Sequence, residues 1–238
     1  MQQLASTLTV IWGKLHPEEQ AEATRSTAPS SESVCPICDD TGWRRAEGEE
    51  LIGLKRRECV REKIRVARLS LIPERFRNST FESYRPRNSK QERALSLISG
   101  DPSGSFYLTG SYGSGKTHLL YALYREIVLA GNTGCHVRTT RGLVEELRRA
   151  EFDDAFVSPV LAAASKPEPY HLFWDDIDKL KTTDFKTEVL FDLADTMYSQ
   201  NHGLTITSNY SLRDLIERER MHPAIVRRLD DMCRIVEV

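Results

Sequence analysis

The run Gly110-Ser111-Tyr112-Gly113-Ser114-Gly115-Lys116-Thr117 matches the pattern G-x-x-x-x-G-K-[ST] in full, and His118 follows it. Glycines at these positions let the backbone curl with its N–H groups pointing inward. A helix that starts at the lysine adds the positive end of its dipole, so the run suits a polyphosphate. Lys116 is then placed to reach β- and γ-phosphates, and the Thr117 hydroxyl to ligate magnesium. On this reading Gly110 to His118 bind ATP or ADP. The competing reading is a chance glycine turn between a strand and a helix. An apolar strand before the run and an amphipathic helix after it supply the context that a phosphate loop requires.

Two further clusters lie downstream. His171-Leu172-Phe173-Trp174-Asp175-Asp176 is an apolar run ending in acids. Acids at the carboxyl end of a buried parallel strand face the crevice where α/β proteins bind ligands. Asp175 is expected to organise the magnesium through its water shell, and Asp176 to orient or deprotonate the attacking water. The alternative is that both acids cap the next helix. Thr205-Ile206-Thr207-Ser208-Asn209 is a strand ending in an amide that can stand between those acids and a γ-phosphate, although Ser-Asn-Tyr-Ser is also a good turn. Lys116, Asp175, Asp176 and Asn209 are thus the candidate catalytic residues.

The elements that must position these groups alternate. Strands are expected at Ser105–Thr109, Cys135–Thr140, Tyr170–Ile177, Leu204–Ser208 and Cys233–Val238. Helices are expected at Lys116–Ala130, closed by Gly131, and at Leu143–Ala150, Asp184–Ser199, Leu212–Glu219 and Pro223–Asp230. Alternation of this kind implies βαβ units and a parallel sheet covered on both faces. Upstream, residues 1–15 read as weakly helical and Ala21–Val34 as a small, polar linker. Val60–Leu71 reads as a basic connecting helix ending before Pro73.

With 238 residues, 39% hydrophobic and 29% charged, the chain suits one full domain plus a small appendage. No apolar run approaches the ~20 residues of a membrane span, and Met1–Leu15 lacks the marks of a signal peptide. A cytoplasmic protein with no membrane partner is expected. From Arg44 to Arg77, eleven Lys or Arg stand against six Glu, a basic stretch able to meet phosphates or an acidic protein, or simply a solvated helix face. Of five cysteines, Cys35 and Cys38 form a C-x-x-C turn and Cys59 lies 21 residues on. Two thiolates of such a turn can share one zinc with a distant third, with His16, Asp39, Asp40 or a water as fourth ligand. Free structural thiols are the alternative. Cys135 and Cys233 fall in expected strands and read as small buried hydrophobes.

Ile72-Pro73-Glu74-Arg75-Phe76-Arg77, the phosphate loop, Trp174-Asp175-Asp176-Ile177, Thr207-Ser208-Asn209 and Arg227-Arg228-Leu229-Asp230-Asp231-Met232 together resemble the AAA+ ATPases. The resemblance is to the DnaC-like clade of bacterial replicative helicase loaders, which includes the IstB transposition ATPases, and it runs from about Ile72 to Val238. It implies an α/β P-loop fold of the AAA+ type, a five-stranded parallel sheet flanked by helices with no C-terminal lid. Residues 1–34 would be an N-terminal segment and linker, 35–71 a zinc-binding module with its connecting helix, and 72–238 the ATPase domain. It implies an arginine finger acting on a neighbouring subunit's ATP, Arg228 first and Arg227 second. A surface arginine paired with Asp230 or Asp231 is the alternative. The stretch from Thr140 to Pro169 occupies the place of a helical insertion that contacts single-stranded DNA, with Arg141, Arg148 and Arg149 as candidate contacts among many acids. The implied function is loading of the replicative DNA helicase by a homo-oligomer that engages single-stranded DNA. A transposition helper binding duplex DNA, and a non-hydrolysing ATP-dependent binding module, are its rivals.

Overall fold

The computed structural model describes residues 58–238 except 133, 154 and 180–183, together with strands at 43–45 and 54–56; for those strands and for 58–60 and 184–186 it describes the backbone alone. The expected helix at 1–15, the linker at 21–34, the Cys35–Cys38 pair and the Cys59 side chain lie outside this description.

The chain divides into two units, 1–67 and 68–238. In the first, β1 (Trp43–Arg45) and β2 (Leu54–Arg56) pair antiparallel with Trp43 opposite Arg56. Helix α1 (Glu58–Leu69) follows them in the chain.

The second unit is built on strands β3 (Phe106–Thr109), β4 (Cys135–Thr139), β5 (His171–Asp175), β6 (Gly203–Ser208) and β7 (Arg234–Glu237). They form one sheet in the order β4-β5-β6-β3-β7, and every neighbouring pair is parallel. The helices are α2 (Ser89–Gly100), α3 (Lys116–Leu129), α4 (Thr140–Phe152), α5 (Pro159–Ala164), α6 (Asp184–Ser199), α7 (Leu212–Glu217) and α8 (Pro223–Met232).

Continuous apolar strands make sense only if both faces are covered, and they are. Leu172 and Trp174 of β5 enter one core with Leu143, Leu147, Leu193 and Met197. Phe173, pointing the other way, enters a second core with Leu119, Leu123 and Tyr124. Fully buried Phe173 meets the Tyr124 ring edge-on at 5.2 Å, and its removal from water alone contributes ~1.5–3 kcal/mol.

Among the described residues the expected elements are present, with local differences at their ends. Helix α4 starts at Thr140 rather than Leu143, because the Thr139 side chain accepts from the Gly142 N–H and caps the helix there. Two helices were not expected. Asn88 caps α2 through the Gln91 N–H, and only Gln91, Ala94 and Ile98 of its residues are buried, too few for a clear apolar stripe. Helix α5 is a single short piece capped by Ser158. Its start is tied to α4 by Glu146, which accepts from Ser158 Oγ at 2.5 Å and the Val160 N–H at 3.0 Å and pairs with Arg138 at 2.6 Å. Cys135 and Cys233 are buried free thiols, as expected.

Two buried histidines make the fold acid-sensitive. Burial depresses His171 from 6.5 to about 3, and burial aided by Arg68 and Arg138 does the same to His136. The unfolded chain protonates these rings below 6.5 while the folded chain keeps them neutral. Their contribution to stability is therefore complete above about pH 6.5 and is lost as pH falls from there toward 3, by up to ~1.4 kcal/mol per pH unit each. Histidine NMR titration of the folded chain should show neither ring protonating between pH 7 and pH 4.5; a ring that titrates in that window is not held neutral.

Candidate functional site

The site forms where β3, β5 and β6 end on the same edge of the sheet. After β3 the chain turns through the glycine run into α3. Gly115 has φ +98°, and a Cβ there would lie 2.6 Å from the Tyr84 ring, so no other residue fits without strain. Tyr84 lies against the loop and donates its hydroxyl to the Ser114 carbonyl at 3.1 Å, and Gln91 Nε2 donates to the same oxygen at 3.0 Å. The segment before the core thus braces the loop from outside. Tyr112 at the tip is 78% exposed. His118 turns to this brace too: its Nε2 lies 2.9 Å from the Thr80 carbonyl and its ring meets Tyr84 edge-on at 5.2 Å.

Lys116 is buried, and its ammonium donates to the Gly110 carbonyl at 2.9 Å, the Ser111 carbonyl at 2.8 Å and Asn209 Oδ1 at 3.1 Å. Burial pulls this lysine below its ordinary pKa, while Asp178, Asp176 and Asp175 pull the other way. The cation is thus held among carbonyls at the mouth of the loop, with acids behind it.

Thr117 Oγ1 donates to Asp175 Oδ1 at 3.0 Å, and Thr207 Oγ1 donates to the same oxygen at 2.6 Å. Burial raises the Asp175 carboxyl above the usual range and the Asp176 charge adds to this, against the two hydroxyl bonds. A hydroxyl and a carboxylate side by side at the end of the phosphate loop are the oxygen donors that magnesium takes, the rest of its shell being water and phosphate. The residues present therefore fit that ion, with Thr117 and Asp175 to hold it.

Asp176 sits at φ +61°, held from both sides: its N–H donates to Thr207 Oγ1 at 2.8 Å and its carbonyl accepts from Thr140 Oγ1 at 2.7 Å. Trp174 Nε1 donates to that same threonine hydroxyl at 2.8 Å. The Asp176 carboxylate is half-buried and paired with Lys179. Asp176 immediately precedes a short 3₁₀ helix, Ile177–Lys179, which its carbonyl closes by accepting the Lys179 N–H.

The structure therefore brings together Lys116, Thr117, Asp175, Asp176 and Asn209, drawn from three strand ends. Sequence reasoning missed three residues that hold them: Tyr84, Gln91 and Asp178. The third acid in Asp175-Asp176-Ile177-Asp178 was a visible signal for the last; nothing local marks the other two.

Arg228 lies apart, on α8. It pairs with Asp195 of α6 at 2.7 Å, not with Asp230 or Asp231, and its guanidinium lies 4.8 Å from the Tyr198 ring centre. Arg227 is exposed. On α4, Arg149 pairs with Asp153 at 3.4 Å and stands over the Phe156 ring. No helix among the described residues is long and apolar enough to cross a membrane.

The model of the family described as IstB-like ATP binding protein matches residues 47–238. A relative in Bacillus subtilis (strain 168), the uncharacterized protein YqaM, is 28% identical over 201 residues, which is 76% of this chain and 61% of its own. The chain thus spans about three fifths of that relative's length. Among solved structures, that of the DnaC helicase loader superposes with a TM-score of 0.58 at 22% identity, over 70% of this chain and 99% of that one. DnaI superposes with a TM-score of 0.59 at 19% identity, over 70% of this chain and 94% of its own. At these identities the likeness is one of fold.

Proposed function

This chain belongs to the family of IstB-like ATP binding proteins, AAA+ P-loop proteins related to DnaC, and from that premise we propose that it hydrolyses ATP to load a replicative DNA helicase. The observation that carries the reading is the convergence of Lys116, Thr117, Asp175, Asp176 and Asn209 at three neighbouring strand ends. A passive nucleotide holder needs the loop; it has no use for a second acid and an amide beside it.

In this reading the loop from Gly110 to Thr117 cradles the phosphates and Lys116 transfers its hydrogen bonds from loop carbonyls to the β- and γ-phosphates. Thr117 and, through water, Asp175 would hold magnesium, and the chemistry that ion would supply when bound is neutralisation of phosphate charge. Asp176 accepts the proton of the attacking water or orients it, and Asn209 contacts the γ-phosphate from β6. Arg228, or failing it Arg227, enters the neighbouring subunit's site, so the working form is a homo-oligomer with ATP at its interfaces. Single-stranded DNA and the helicase are the partners, in the cytoplasm. The match to the IstB-like family favours one second reading, a transposition helper that binds duplex DNA.

Zinc on Cys35, Cys38 and Cys59 completes the proposal. The β1–β2 pairing is consistent with it, because Trp43, five residues after Cys38 in the sequence, stands opposite Arg56, three residues before Cys59. Protein purified without chelator should carry about one zinc per chain by elemental analysis; a metal-free, normally folded chain would leave free thiols as the reading.

The function is tested by phosphate release and by capture of the replicative helicase of the same source. Wild type should turn over ATP, respond to single-stranded DNA and form a complex with the helicase. Asp176→Asn should bind ATP and fail to turn it over. A response to duplex DNA alone, with no helicase complex in any nucleotide state, would replace the loader with the transposition helper. Equal turnover in Asp176→Asn and wild type would remove Asp176 from catalysis.

A further inference from the structure

The strand β5 does not end its contribution at Asp176. The positive φ of Asp176 bends the chain, and the Lys179 N–H closes the turn on the Asp176 carbonyl at 3.0 Å. That turn carries Asp178 inward, where it is only 3% exposed. Both of its carboxylate oxygens are used by one residue: Oδ1 accepts the Asn209 backbone N–H at 3.1 Å and Oδ2 accepts Asn209 Nδ2 at 3.0 Å.

This pairing decides which way the Asn209 amide faces. A carboxylate only accepts and an ammonium only donates. With Asp178 on one side and Lys116 on the other, the amide must give its NH2 to the acid and its oxygen to the lysine. The second amide hydrogen is then left for a group in the site. A neutral partner such as Ser or Asn would satisfy the turn without fixing that orientation, and a buried carboxylate is costly unless its hydrogen bonds are made.

The surroundings hold the arrangement in place. The Asp178 carbonyl accepts Arg220 Nη1 at 2.9 Å, and Arg218 and Arg220 lie over the Tyr210 ring at 4.8 and 4.9 Å. The Tyr210 carbonyl accepts the Tyr107 hydroxyl at 2.8 Å, and its N–H donates to Ser208 Oγ at 3.0 Å. The residue after Asn209 is therefore locked, and a contact group mounted on a locked support keeps its geometry.

We propose that Asp178 is a positioning residue which orients Asn209 toward the terminal phosphate, so that the chain distinguishes a nucleoside triphosphate from a diphosphate. The inference rests on reading the cluster as a nucleotide site. The rival account is that Asp178 acts by charge on Lys116 directly.

Calorimetric affinities of the full chain for ADP and for a non-hydrolysable ATP analogue, with magnesium, separate these accounts. Asp178→Asn and Asn209→Ala should each bind ADP within about twofold of wild type and the triphosphate about 10-fold more weakly, equivalent to one lost net hydrogen bond. The double variant should be no weaker than Asn209→Ala alone, because Asp178 acts through that amide. A double variant about 100-fold weaker, the product of two independent effects, would overturn the proposal. So would an Asp178→Asn chain with unaltered triphosphate preference. If Asp178→Asn fails to fold, the exchanged pair Asp178→Asn with Asn209→Asp restores donor to acceptor. It should recover the melting temperature and still lack the triphosphate preference, and recovery of both would reduce Asp178 to a structural role. A wild-type chain that binds neither nucleotide defeats the nucleotide-site reading and this inference with it, whereas binding with an unchanged variant defeats this inference alone.

Discussion

Lys116→Ala should weaken ATP binding by at least about 100-fold, which corresponds to ~2.7 kcal/mol. The ammonium is the buried cation of the site and already makes short bonds to two loop carbonyls and to Asn209. Charged hydrogen bonds of this kind contribute ~1.5–3 kcal/mol each. Its removal has a second effect, since Asp175, Asp176 and Asp178 then face the incoming phosphates with no lysine between them. Titration with a fluorescent ATP analogue measures the loss, and circular dichroism shows whether the chain is still folded. An affinity within threefold of wild type would take Lys116 out of the phosphate site.

Arg228→Ala is expected to separate binding from turnover. Its own phosphate loop is untouched, so ATP affinity should stay within about threefold, while turnover falls by ~10³-fold if the guanidinium completes a neighbour's site. In the single chain Arg228 is engaged by Asp195 and rests on Tyr198. That half-exposed pair contributes at most ~1 kcal/mol to stability, too little for a thousandfold loss of rate. Mixing supplies the decisive measurement. Lys116→Ala chains keep their arginine and Arg228→Ala chains keep their ATP site. Activity should return in the mixture and rise with protein concentration, because the complete site exists only at an interface. A mixture that co-assembles and stays inactive would show that Arg228 does not act in trans. An Arg228→Ala chain with full activity would move the role to Arg227.

Much of the site could be read from the sequence because its chemistry is local. The phosphate loop is eight consecutive residues, and the conformation it needs is marked by glycines that sterics demand, as the approach of Tyr84 to Gly115 illustrates. Strand β5 was legible because a strand covered on both faces has no polar alternation to obscure it, and its acids stand where the apolar run stops. The asparagine ending β6 was legible only in company with the other two clusters. Helix α2 escaped notice since its buried residues are few and one of them, Gln91, is polar.

By itself the sequence determined the alternation of strands and helices, the loop and the acids, since each depends on near neighbours along the chain: backbone sterics, caps and hydrophobic period. The tertiary structure alone decided the strand order β4-β5-β6-β3-β7, which sets the ends of β5 and β6 beside the loop. It decided that Asp178 faces Asn209, 31 residues away, and that Arg228 faces Asp195, 33 residues away. It also decided that Tyr84 and Gln91 share the carbonyl of Ser114. A carboxylate, a guanidinium or a phenol has many possible partners of equal chemistry in a chain with 29% charged residues. Which of them it meets follows from burying two apolar sheet faces at once, and that is a property of the whole sheet with its helices, written in no single segment.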